Sequence, residues 1–208
     1  MANNQGYITS QRTDPLDAYF TPESVAYAAM VKLEQLFPGF APRNVLEPGT
    51  GLGVHLDQAM MRFPSVERTV GVDDFQQGAV SPMHEFHLTD FRTWETDERY
   101  DLIATNPPFT YSEAFVRKSQ GLLTENGLGL FLMRYSMAAT IGRWKLWREV
   151  KLGHTWIIVP RPPFDESTKG TDMCEYAYFI FSRGEAGSSA LLDWLIWRDK
   201  ERALIKGE

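Results

Sequence analysis

Cysteine is nearly absent. Cys174 stands alone among 208 residues, which excludes an internal disulfide and points to a reducing compartment. There is no run of eighteen apolar residues and no basic-then-apolar leader, so neither a membrane span nor a signal peptide is expected, and a cytoplasmic location is the default. The four histidines are scattered without ligand spacing, and without paired cysteines no metal site is predicted. Repeats, low-complexity tracts and a G-x-x-x-x-G-K-[ST] phosphate loop are all missing. Positive charge is also scarce overall: the formal net charge is −6, which taken alone argues against a nucleic-acid partner. Residues 1–16 are polar enough to form a flexible tail, and 17–208 suit one domain with a core large enough to need no staple.

What is present alternates. Thr21 can cap a helix with Pro22 at its first position, and Val25, Ala28, Ala29, Leu33 and Leu36 form its apolar face. Strands are predicted near 44–47, 68–73, 84–88, 100–105, 128–133, 155–159 and 175–181. Helices are predicted from Val54 to Phe63, from Ser112 to about Leu123 with Asn126-Gly127 closing it, and from Met137 to Val150. Leu191 to Trp197 reads as an apolar helix packed on the domain. Strands alternating with helices imply an α/β fold with a mainly parallel sheet covered on both faces.

In such sheets chemistry gathers beyond the carboxyl ends of the strands. The apolar run Tyr100–Thr105 ends in Asn106-Pro107-Pro108-Phe109, where two prolines fix two φ angles and remove two backbone donors. The corner suits a flat group bearing an NH₂. Such an amine is a poor nucleophile because its lone pair is delocalised. The Asn106 side-chain oxygen and the Pro107 carbonyl can each accept one N–H, turning the lone pair toward an electrophile, while Phe109 stacks on the plane.

A second unit, Glu47-Pro48-Gly49-Thr50-Gly51-Leu52-Gly53, follows a short strand and precedes a helix. Its spacing is G-x-G-x-G, and Val54 stands where a dinucleotide fingerprint needs its last glycine. An adenosine ligand without phosphates, whose positive charge Glu47 accommodates, fits better than a nicotinamide dinucleotide; S-adenosylmethionine is such a ligand. Asp73 closes the next strand and is placed to accept ribose hydroxyls. Asp90, after the third strand, is placed for the adenine amino group, with Phe91 beside the ring. Asp74 reads as an ordinary turn residue.

In the order glycine loop, acid, acid-aromatic, Asn-Pro-Pro-aromatic, the chain resembles the class I S-adenosylmethionine-dependent methyltransferases. Among them it looks most like the N6-adenine DNA methyltransferases, including small phage-type enzymes. Tyr19-Phe20-Thr21-Pro22 is similar to that family's N-terminal cofactor motif, and Arg161-Pro162-Pro163-Phe164, Thr171-Asp172 and Glu175 to Phe179 to its base-side loop and strand. The likeness covers roughly residues 17 to 182. It implies a Rossmann-like, seven-stranded sheet with an antiparallel last hairpin, and cofactor contacts at Tyr19, Thr21, Glu47, Gly49, Gly51, Asp73 and Asp90. Asn106 and Phe109 would then lie at the target amine. Many relatives carry a separate target-recognition domain; about 26 residues follow position 182, too few for one.

Charge is unevenly spread. Residues 1–133 hold nine Lys/Arg against seventeen Asp/Glu, a balance of −8, whereas residues 134–170 hold seven against three, a balance of +4. Arg134, Arg143, Lys145, Arg148, Lys151, Arg161 and Lys169 are interleaved with Trp144, Trp147 and Phe164. A basic, aromatic face suits a polynucleotide, with Arg143, Lys145 and Arg148 on phosphates and Phe164 as a second ring against an extruded base. DNA is the expected partner. Structured RNA, or a protein glutamine as in the release-factor methyltransferases, keeps the same chemistry, and a non-catalytic binding module is the third reading.

Overall fold

The computed structural model describes residues 20–74, 81–164, 174–183 and 190–198. Tyr19, Lys169, Thr171, Asp172 and the expected tail of residues 1–16 lie outside the described residues.

Eight strands form one sheet. In chain order they are β1 (Asn44–Pro48), β2 (Arg68–Asp73), β3 (Glu85–Leu88), β4 (Tyr100–Thr105), β5 (Leu123–Arg134), β6 (Lys151–Val159), β7 (Tyr176–Ser182) and β8 (Leu191–Ile196), and in space the order is β3-β2-β1-β4-β5-β7-β6-β8. Every neighbouring pair is parallel except the two that involve β7, which runs antiparallel to both β5 and β6. The helices are α1 (Glu23–Leu36), α2 (Val54–Arg62), α3 (Ser112–Leu122) and α4 (Ile141–Glu149).

Period-2 alternation divides the core. On β7, Tyr176, Tyr178 and Ile180 face the layer that holds Val25 and Leu33 of α1 and Leu56 of α2. Ala177, Phe179 and Phe181 face the layer of Phe115 from α3 and Leu146 and Trp147 from α4. Both sheet faces are therefore covered, as long apolar parallel strands require. Trp147 stacks on Phe179 at 5.0 Å with an interplanar angle of 3°, so this tryptophan belongs to the core and not to the basic face.

Four local expectations are corrected. Leu191–Ile196 is an edge strand, not a helix; a short apolar run fits either period, and here pairing with β6 and burial of Leu195 decide for the strand. The sheet accordingly has eight strands, with the antiparallel strand inserted between β5 and β6. Asn126-Gly127 does not close α3: the chain is already extended from Leu123, and the pairing register with β4 shifts between Tyr100 and Leu102. The helix expected from Met137 is split into a 3₁₀ turn at Tyr135–Ala138 and α4, because Thr140 accepts from the Arg143 backbone N–H (3.3 Å) and starts a new helix. At α1, Pro22 occupies the cap position, Thr21 is buried without serving as the cap, and Leu36 is exposed.

Candidate active site

The parallel strands deliver their carboxyl ends to one edge, and β7 begins there because it runs the other way. Gly49, Asp73, Asp90, Asn106 and Arg134 thus share an edge with Tyr176, the register partner of Arg134.

The glycine loop turns on positive φ values of 67° at Gly49, 54° at Gly51 and 78° at Gly53, conformations that a side chain would strain. It is pinned from both sides. Gly49 N–H donates to the Val72 carbonyl at 2.7 Å, Gly51 N–H to the Asp73 carboxylate at 2.8 Å, and the Thr50 hydroxyl to the Glu47 carbonyl at 2.6 Å. Gly71 is required beneath it, since a Cβ there would lie 2.7 Å from the Thr50 hydroxyl oxygen. The loop also abuts the Asn-Pro-Pro-Phe corner: the Thr105 hydroxyl donates to the Pro48 carbonyl, and a Cβ on Gly49 would meet the Pro108 ring at 3.4 Å. Gly51 faces the half-exposed Phe20 ring, which the reading of Tyr19 and Thr21 passed over.

Glu47 is buried and committed to the protein. One carboxylate oxygen accepts from His55 Nδ1 at 2.6 Å, and the other from the Leu56 N–H at 3.2 Å. His55 Nε2 lies 3.0 Å from the Tyr178 hydroxyl. Burial, with Glu47 nearby, pushes the Tyr178 phenol well above its ordinary pKa. The phenol therefore stays protonated, and Glu47, His55 and Tyr178 form one buried hydrogen-bonded chain. Any electrostatic effect of this carboxylate on a ligand acts from below the loop. His55 and Tyr178 had no signal in the sequence, because nothing local links positions 55 and 178.

At the third strand the expected pair separates. Asp90 stays at the edge, held by Arg92 through both carboxylate oxygens at 2.6–3.0 Å, and this guanidinium keeps its pKa below the usual carboxylate range. Phe91 turns inward, 2% exposed, onto Phe115 at 4.9 Å. It is a core ring that presents no open face, a correction to its expected place beside an adenine. Arg92 takes the outer position, its guanidinium 3.7 Å from the centre of the Tyr111 ring.

Beyond β4, Asn106 is half-buried and Pro107 buried. The Pro108 carbonyl accepts from the Tyr111 N–H at 2.9 Å and opens a 3₁₀ turn, Phe109–Tyr111, that leads into α3. Phe109 lies 5.8 Å from the Tyr176 ring, and Tyr176 lies 4.6 Å edge-on from Phe164. Phe109 and Phe164 are thereby gathered into one aromatic cluster at the mouth of the site. The Arg134 guanidinium rests 4.6 Å from the Phe109 ring centre. Arg143, Lys145 and Arg148 diverge. Arg143 lines a cleft of about 420 Å³ beside Phe109 and donates to the Ser136 carbonyl at 2.9 Å, whereas Lys145 and Arg148 are exposed on α4. Trp144 is exposed, 6.0 Å from the Arg148 guanidinium, and Arg161 is paired with Glu175 at 2.6 Å. Among the described residues, no group of three His, Cys, Asp or Glu side chains is gathered for a metal, and no helix is long and apolar enough to cross a membrane.

A 95-residue segment of the chain, 44% of its length, is 32% identical to the type II methyltransferase M.CvrRI of Paramecium bursaria Chlorella virus XZ-6E. The match spans 24% of that relative's length. A Listeria monocytogenes protein assigned to the class I S-adenosylmethionine-dependent methyltransferases superposes over 93% of this chain and 71% of its own, with a TM-score of 0.70 and 14% identity. The methyltransferase subunit of a type I restriction-modification system from Streptococcus thermophilus covers 84% of this chain and 47% of its own, at TM-score 0.65 and 12% identity. No protein-family model matches the chain. The chain has the class I methyltransferase fold. Within that fold β8 is an additional strand on the β6 edge relative to the seven expected.

Proposed function

We propose that the chain is an S-adenosylmethionine-dependent DNA methyltransferase acting on the N6 amino group of adenine. The observation that carries this reading is the contact between glycine loop and Asn-Pro-Pro-Phe corner, Gly49 against Pro108; we read the first as a nucleoside-type subsite and the second as an amine-orienting corner. The partial match to a viral type II methyltransferase and the fold shared with a restriction-modification subunit support DNA as the substrate class.

The residues present fit the cofactor. Three glycines of positive φ open the backbone to close approach, Asp73 closes β2 beside them as a ribose acceptor, and Asp90 lies at the next strand end for the adenine amine. Phe20 borders the loop at Gly51, just before α1. When bound, S-adenosylmethionine supplies an electrophilic methyl group on a sulfonium.

The chain's own residues prepare the acceptor. Asn106 Oδ1 and the Pro107 carbonyl each take one amine hydrogen, which draws the nitrogen lone pair out of conjugation and aims it. Phe109 fixes the plane of the base, a stack worth about 1–3 kcal/mol. Phe164, joined to Phe109 through Tyr176, bounds the far side of the base. An adenine reaches this depth only when turned out of the duplex.

Incubation with tritiated cofactor and unmethylated DNA, total RNA or a release factor tests the reading. Label is expected in DNA and, after hydrolysis, in N6-methyladenine. Label confined to RNA or to a glutamine of the protein would move the assignment to those substrates.

A further inference from the structure

The outer face of α4 is not polar, as the solvent side of a helix ordinarily is. Leu146, Trp147 and Val150 turn inward and are buried, while Ile141 and Trp144, one turn apart on the opposite side, are 78% and 59% exposed. These two apolar side chains share their stripe with Lys145 and Arg148, which are exposed as well, and the Arg148 guanidinium lies 6.0 Å from the centre of the Trp144 ring.

Sheet order decides which end of this stripe lies near the site. β5 ends at the carboxyl edge, and β6 runs in the same direction because β7 is antiparallel to both. α4 therefore starts at the carboxyl edge and descends to the amino edge, where Lys151 opens β6. Ile141 and Trp144 occupy its first turn, and Arg143 between them reaches the cleft shared with Phe109. From Ile141 to Lys151 the chain carries four cations and one acid, Glu149, which is bonded to Arg117. A duplex is the occupant whose charge and shape match this stripe. Cations along the helix suit phosphates, and large apolar side chains at their head suit the space between base pairs, which wedge side chains enter when DNA is opened or kinked. Turning a base out of the stack costs its neighbours' contacts, and a side chain that replaces them offsets that cost.

We propose that Ile141 and Trp144 form a wedge that enters the duplex beside the target nucleotide, Trp144 stacking on the bases left uncovered as the adenine leaves for Phe109, with Lys145 and Arg148 on the flanking backbone. The proposal rests on the reading of the chain as an adenine DNA methyltransferase. It makes the two side chains positioning residues, which touch neither cofactor nor amine and act by holding the base out.

The test compares two duplexes of the sequence that the wild type labels with tritium, one fully paired and one with the target adenine opposite an abasic site. The double variant Ile141→Ser, Trp144→Ser is expected to lower transfer to the paired duplex at least about tenfold and to the abasic duplex at most about twofold, because less has to be broken where the adenine is already unpaired. Both side chains are exposed, so the core is untouched. 2-Aminopurine in place of the target adenine gives a second readout: its fluorescence change on binding is expected with the wild type, lost in the double variant and kept in Trp144→Phe, which retains a ring for stacking. Equal losses on the two duplexes, or an unaltered fluorescence change in the double variant, overturn the wedge. So does a double variant that sediments as a monomer where the wild type is a dimer and keeps its fluorescence change, which makes the stripe a contact between copies of the chain. Lys145→Gln with Arg148→Gln is the contrast, expected to weaken binding of both duplexes alike and to lower the slope of log affinity against log salt by about 0.9 for each phosphate released. A loss confined to the paired duplex in that variant would give the role of holding the base out to the cations and count against the wedge. Tritiated DNA with equal transfer by wild type and double variant refutes only the wedge, whereas a wild type that labels no DNA refutes the reading on which the wedge rests and the wedge with it.

Discussion

The two sides of the strand edge are built differently. On the cofactor side, from Glu47 to Asp73, nearly every polar group is tied to the protein: the glycine loop to Val72 and Asp73, Thr50 to Glu47, and Glu47 through His55 to Tyr178. On the substrate side, from Arg134 through α4, the groups are arginines, exposed Trp144 and the half-buried rings Phe109 and Phe164. A small cofactor of constant shape is served by a pre-set cradle, which lowers the ordering cost on binding. A strand with a turned-out base, the proposed substrate, would instead meet long cationic side chains beside aromatic rings.

Variants that separate these sides sharpen the contrast. The largest effect is expected at the corner between them. Asn106→Ala removes an acceptor for the amine without touching the loop, so turnover should fall a hundredfold or more, about 2.7 kcal/mol in barrier. Cofactor affinity measured by calorimetry should stay near wild type. Phe109→Ala should also slow transfer, while Phe109→Tyr or Trp should retain most of it because stacking needs only a ring. Full methyl transfer by Asn106→Ala would make the corner structural.

Next is Asp73→Ala, which deletes the proposed ribose acceptors and the partner of the Gly51 N–H together. Cofactor binding should weaken by roughly 1.5–3 kcal/mol, as for bonds to a charged group. DNA affinity in the absence of cofactor should be unchanged; a parallel loss of DNA binding would mean that the two sides are not separable.

How much of this was legible follows from the same contrast. The strand ends carrying Glu47, Asp73 and Asn106 were readable because buried parallel strands are continuous apolar runs with a polar residue toward their carboxyl end; β3, before Asp90, is a part-exposed edge strand and was readable only as a repeat of that order. β8 was not readable: as an edge strand it leaves Leu191, Leu192 and Trp194 exposed, so it lacks the clean alternation that marks a half-buried strand. Phe91 and Trp147 were assigned outward because the rings that bury them, Phe115 and Phe179, come from distant parts of the chain. The Arg134 contact with Phe109 depends on β5 lying beside β4, a fact of sheet order that no local motif encodes.

A smaller effect tests the network beneath the loop. Tyr178→Phe leaves the buried His55 Nε2 without its partner, which should cost roughly 1–2 kcal/mol of stability in urea unfolding. The phenol itself adds no pH dependence between 6 and 9, since burial pushes it up and it does not ionise there. Methyl transfer at low temperature should survive. A loss of cofactor affinity larger than the loss of stability would show that the network sets the loop's shape as well as holding it down.

The smallest effect is expected at Arg92, where the cofactor side meets solvent. Its guanidinium occupies both oxygens of Asp90, which the proposed function needs as an acceptor for the adenine amine. The pair is about a third exposed, so its worth is small and falls with added salt. Arg92→Ala therefore frees the carboxylate at little cost. Cofactor affinity should rise slightly, more at low salt than at high. The sign with pH follows from the same pair. Arg92 holds the Asp90 pKa below its ordinary value, so the pair's contribution is fully present at neutral pH and is lost only as pH falls through that lowered value. In Arg92→Ala the pKa returns toward the ordinary range, and the gain in affinity should fade at a higher pH than the wild-type binding does. A loss of affinity in Arg92→Ala at neutral pH would reverse the assignment, making the guanidinium stacked on Tyr111 a platform for the adenine and not its competitor.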